Sequence, residues 1–177
     1  MKNFCILLGV LLLIPAASFS VAQPPVTLPN VTAYNLSKNK VTLPQDLSTP
    51  ASLLVFSFLH DQEVEVKGWE QAAASLPGLS SWSLPIFPRE NVVYRWWMNS
   101  SLRSSTHDSH ELDATVPLYL NKSKLLGSLQ IHSEREVVVL LVSHAGTVLW
   151  RTSGPVTPEK KNALSAAFAS VANAVKP

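Results

Sequence analysis

Ser52-Leu53-Leu54-Val55-Phe56-Ser57-Phe58-Leu59 is an almost unbroken apolar run of strand length, and it leads directly into His60-Asp61-Gln62-Glu63-Val64-Glu65. Successive side chains of a strand point to opposite faces, so a run apolar at both sets of positions fits a central strand buried on both sides. From Val66 the spacing becomes helical. Val66, Trp69, Ala73 and Leu76 share one face, Lys67, Glu70 and Gln71 fall elsewhere, and Pro77-Gly78 ends the pattern. A core strand followed at once by a helix opens an α/β unit.

Working outward, residues 31–34 and 41–43 flank the polar turn Ser37-Lys38-Asn39-Lys40 and read as a short hairpin. Residues 81–87 read as a second strand, which Pro85 pushes toward an edge or a bulge. Residues 90–103 carry Val92 or Val93, Trp96, Trp97 and Leu102 at helical spacing. Residues 106–113 are polar and read as a loop, 115–120 as a short strand, and 122–129 as a helical turn or two. The run 137–142, the turn Ser143-His144-Ala145-Gly146 and the alternating 147–151 make a β-hairpin. Thr157-Pro158 then pairs a cap with proline at the first helical position, and Leu164, Phe168, Val171 and Val175 continue at helical spacing.

The first residues match an export signal: Lys2, an apolar run over 4–14, and small residues at Ser20-Val21-Ala22. The run is shorter than the roughly 20 residues of a spanning helix, and Pro15 interrupts it. The expected organisation is a signal over 1–22, a Pro-rich lead-in over 23–30, and one domain over 31–177. The expected location is extracytoplasmic, either periplasmic or secreted, with no membrane span once the signal is cleaved. The single cysteine, Cys5, lies inside the signal, so the mature chain would have no disulfide, thiolate ligand or thiol nucleophile. Near-neutral charge without a basic stripe argues against nucleic acid as a partner.

The chain resembles the thioredoxin-like superfamily, in particular its peroxiredoxin-like branch and the relatives of the mitochondrial ATP-synthase assembly factor. Four places carry the resemblance: the opening Val31-Thr32-Ala33-Tyr34-Asn35-Leu36 with Leu43 and Leu47; the core run 52–59; the hairpin 137–151 with Gly146-Thr147-Val148-Leu149-Trp150; and Ser153-Gly154-Pro155-Val156-Thr157-Pro158-Glu159. It implies a three-layer α/β sandwich, a central mixed sheet flanked by helices. It also implies where redox chemistry is missing. The family's cysteine motif would follow the core strand, where this chain reads 60–65 without cysteine, and its cis-proline would fall near Glu136 or Val137, where there is none.

The implied geometry brings the loop after the core strand and the turn before Val137 to one edge of the sheet. His60, Asp61, Glu63, Glu134, Arg135 and Glu136 would form a mostly acidic rim there, able to dock a basic or extended segment. Trp96 and Trp97 are adjacent on a helix, so at most one centres the core face and the other can anchor a partner. The expected function is therefore a redox-inactive protein-binding or assembly module, not an enzyme, needing no cofactor and working with another extracytoplasmic protein.

The alternative is a metal-handling or hydrolytic enzyme using His107, His110 and Glu111, whose residue types suit zinc or copper. Against it, a polar loop offers no preformed geometry. No Gly-x-Ser-x-Gly elbow or phosphate loop occurs. Asn30, Asn35, Asn99 and Asn121 begin Asn-x-Ser/Thr triplets that would accept glycans in a glycosylating source.

Overall fold

A computed structural model describes residues 25–88, 92–105 and 108–174. The expected signal over 1–22 lies outside them. Two short strands, β1 (Val31–Tyr34) and β2 (Lys40–Leu43), pair antiparallel as the expected hairpin. A five-stranded mixed sheet follows in the order β5-β4-β3-β6-β7. Its centre is β3 (Ala51–Ser57), parallel to β4 (Ser80–Phe87) and antiparallel to β6 (Val138–Ser143). At the edges lie β5 (Leu118–Tyr119) and β7 (Val148–Ser153).

Alternation along β3 divides the core into two layers. Leu54 and Phe56 meet Leu125 of α4 (Lys122–Ser128), Val41 and Leu43 of the hairpin, and Leu47. Ala51, Leu53 and Val55 meet Val66, Trp69 and Ala73 of α1 (Glu63–Ala74) and Leu164 and Phe168 of α5 (Pro158–Ala174). Burying both faces of β3 is the reason its sequence is continuously apolar. Trp69 is fully buried; its indole Nε1 donates to the Gly154 carbonyl at 2.9 Å and its ring meets Trp150 edge-on. Gly154 has φ +75°, a backbone state that glycine tolerates without strain. Thr157 caps α5, its Oγ1 accepting from the Lys160 N–H at 3.3 Å.

Several expectations shift. The core strand ends at Ser57, two residues early, because Phe58 and Leu59 turn into a 3-10 turn at His60–Gln62. Pro85 lies in an interior strand, not at an edge. It pairs in register with Ser57, and β5 joins β4 only after it, at Ile86 and Phe87. The polar stretch taken as a loop contains α3 (Ser109–Ala114), nucleated by Asp108, whose carboxylate accepts from the His110 N–H at 3.0 Å. The expected strand over 115–120 shrinks to two residues. The lead-in is tied to the domain: Thr27 bridges Thr147, the Leu28 N–H donates to the Gly146 carbonyl at 2.8 Å, and Leu28 enters the core.

Candidate functional site: a cleft at the carboxyl ends of β3 and β4

The edge implied by the resemblance is assembled by one side chain. Gln62 is buried; its Oε1 accepts from the Phe58 and Leu59 N–H groups at 2.8 and 3.2 Å, and its Nε2 donates to the Glu134 carbonyl at 2.9 Å. The loop after β3 and the turn before β6 are thus held together by an amide. Nearby, the Val137 N–H reaches Glu65 Oε2 at 3.5 Å.

The rim is less acidic than its sequence suggests. Glu63 pairs with Lys67 at 3.1 Å, and Glu134 pairs with Lys122. Asp61, Arg135 and Glu136 are exposed around them.

Beside this rim the carboxyl ends of β3 and β4, helix α1, helix α2 (Val92–Ser105) and α3 enclose a cleft of about 390 Å³. Open α/β sheets generally leave their ligand crevice at this end of the strands. The cleft gathers His60, Glu63, Trp97 and Glu111 from among the residues singled out in the sequence. Asp61, His110, Glu134, Arg135 and Glu136 do not line it. The Trp96 side chain and His107 lie outside the described residues; among the described residues no group of three His, Cys, Asp or Glu side chains could hold a metal ion.

The apolar wall comes from Phe58, Ile86, Phe87, Met98 and Leu102, with Ser57 at the end of β3 and Ser83 within β4. Ser57, read from the sequence as buried, is half-buried and lines the cleft. Helix α2 is tied to the sheet by Tyr119, whose hydroxyl donates to Asn99 Oδ1 at 2.8 Å and whose ring stacks on Phe87. Arg95 lies 5.5 Å above that ring. Asn99 is half-buried, its side-chain oxygen engaged by the Tyr119 hydroxyl. Asn35 is buried, donating to the Asp113 carbonyl at 3.1 Å, so it is closed to a glycan.

Sequence reasoning missed Glu70. It stands on the polar side of α1, yet α2 and α3 cover that side, leaving it half-buried in the cleft wall. Burial, and then the neighbouring charge of Glu111, push its carboxyl up to about 7, with Lys67 offsetting part of the effect. Lys67 itself is raised by its hydrogen bond to Glu63. The available signal was the row Glu63, Lys67, Glu70, one residue per turn along a single line of the helix. Of the five large apolar side chains exposed among the described residues, Leu59 (49%) and Trp97 (58%) both border this cleft, and Val64 adjoins it in sequence.

No protein-family model and no curated protein sequence matches the chain. Solved structures do. BsSco, a member of the Sco family of cytochrome c oxidase assembly proteins, matches with a TM-score of 0.57 at 13% identity over 86% of this chain and 96% of its own. The thioredoxin domain of a thiol-disulfide oxidoreductase from Bacteroides vulgatus matches with 0.56 at 15% identity over 83% and 99%. The exposed lipoprotein thioredoxin of Streptococcus pneumoniae matches with 0.55 at 11% identity over 80% and 99%. Together with the strand order and the two helical layers, these likenesses establish that the chain has a thioredoxin-like α/β fold.

Proposed function

We propose that this chain is an extracytoplasmic, redox-inactive thioredoxin-like module that binds another protein at the carboxyl end of its sheet. The observation that carries the reading is Gln62. Where the resemblance implies a reactive cysteine pair, a buried amide instead ties residues 58–59 to residue 134. The only cysteine of the sequence, Cys5, lies within the expected signal. An edge that redox relatives use to hold another protein's thiol carries no cysteine here. Trp97 supports binding, since an exposed tryptophan beside a cleft is a typical anchor, and Leu59 adds exposed apolar surface next to it. Binding and assembly belong to the same reading, with a partner outside the cytoplasm.

Two measurements test it. The purified chain from residue 23 onward is expected to show no thiol-dependent disulfide reduction or peroxide consumption above the protein-free control. Photoreactive phenylalanine placed at Leu59 or Trp97 is expected to give a discrete cross-linked adduct in an envelope extract of the source organism, and none when placed at the remote exposed Tyr34 or Leu149. Adducts equally strong at all four positions would overturn the assignment of the surface.

A further inference from the structure

We propose that the cleft receives a lysine side chain presented by an extended segment of the partner, its ammonium held between Glu70 and Glu111. This deepens the binding reading above and rests on it. Four charged side chains line the cleft together with His60. Lys67 and Glu63 satisfy each other at 3.1 Å. Glu70 and Glu111 are half-buried, and neither has a hydrogen bond or ion pair through its side chain among the described residues. Lys67 is the one lysine in the lining and is hydrogen-bonded to Glu63, so it offsets the charge of Glu70 and Glu111 only in part; a bound ammonium would offset the remainder.

The rest of the lining suits the stem of such a side chain. Phe58, Phe87 and Leu102 line the same cleft as the carboxylates, and a lysine buries its methylenes on such apolar surface while keeping its charged head on polar partners. Lysine fits better than arginine because the two carboxylates come from different helices, α1 and α3. A rotatable ammonium with three donors can serve both, whereas the planar fork of a guanidinium matches one carboxylate at a time. Leu59 and Trp97 at the mouth provide surface for the residues flanking the lysine, which a free amine would leave uncovered.

The charged or titratable groups facing Glu70 are Glu63 and Lys67 from α1, Glu111 from α3 and His60 from the 3-10 turn; the described lining residues of α2 and β4 contribute none. Glu70 loses its proton near pH 7, so cation binding is expected to strengthen about tenfold from pH 6 to pH 8. The part of that dependence lost in Glu70→Gln reports on Glu70.

The test is an NMR titration of the chain from residue 23 onward with three probes: a capped Leu-Ala-Lys-Ala-Leu peptide, its norleucine counterpart, and n-hexylamine. The expected result is tenfold or greater preference for the lysine peptide over norleucine, loss of that preference in Glu70→Gln and in Glu111→Gln with neither variant melting below the parent, and weaker binding of hexylamine. Equal binding of the lysine and norleucine peptides overturns the proposal, as does binding of neither. Hexylamine binding more tightly than the lysine peptide makes a small amine the occupant and overturns the partner lysine. A cross-link at Trp97 alongside equal peptide binding leaves the partner reading standing while the lysine anchor fails. Absence of any adduct removes the partner reading whatever the peptides do.

Discussion

On one side of α1, Val66, Trp69 and Ala73 are sealed against the sheet and α5; on the other, Glu63, Lys67 and Glu70 border an open cleft under α2 and α3. The sheet side follows hydrophobic periodicity, and its energetics come from burying apolar area. The cleft side has the composition of a solvated helix face, yet its inner end is half-buried and its charge balance is altered. A helix can satisfy the same sequence rule along its whole length and still carry its chemistry on the face that the rule calls inert.

The comparison breaks most sharply at Trp69. Replacing it with Ala removes a fully buried indole and its bond to Gly154, with an expected cost of about 3–5 kcal/mol in chemical denaturation. A loss below about 1 kcal/mol would mean that the sheet side of α1 does not anchor the helix. At the start of the same helix, Gln62→Ala strands the Phe58 and Leu59 N–H groups and the Glu134 carbonyl, for about 2–3 kcal/mol. Faster amide exchange at Phe58 and Leu59 is the accompanying sign.

On the cleft side the expected effect is smaller and depends on pH. The Glu70 carboxyl titrates near 7 in the folded chain against an ordinary 4.5. Between those values the folded state keeps a proton that the unfolded state has released, so stability falls as pH rises from about 4.5 to 7 and is level above that. Glu70→Gln is expected to remove this slope and to stabilise the protein at pH 8 by about 1–2 kcal/mol, after allowance for partial exposure. Urea midpoints of both proteins at pH 5 and pH 8 measure it; a slope unchanged in the variant refutes the assignment. Smallest of all, Lys67→Ala breaks only an exposed pair with Glu63 and should move stability by less than about 0.5 kcal/mol.

Much of the architecture was readable from local pattern. The continuous apolar run of β3 required cover on both faces, and Val66, Trp69 and Ala73 identified the packed side of α1. The helix after 157 announced itself by its cap. Local pattern failed where distant elements decide. Pro85 sits inside the sheet, with the segment that follows α3 paired to β4 on both sides of it, at Ser83 with Thr115 and at Ile86 and Phe87, a pairing of distant segments that no local pattern announces. The segment 109–114 is too short to show helical periodicity, and its cap at Asp108 was the one legible sign.

The candidate site divides in the same way. His60, Glu63, Trp97 and Glu111 were visible as chemistry-bearing residues, but nothing in their spacing joined them, since they come from a 3-10 turn and three helices. Glu134 read as part of an acidic rim until its pairing with Lys122 appeared. By itself the sequence determined that the core strand carries no cysteine at its carboxyl end, that it is buried on both faces, and that α1 packs through its tryptophan side. Only the tertiary structure decided that α2 and α3 lie over the charged side of α1, because the burial that shifts Glu70 is created by residues 27 to 41 positions away in the chain, from Trp97 to Glu111.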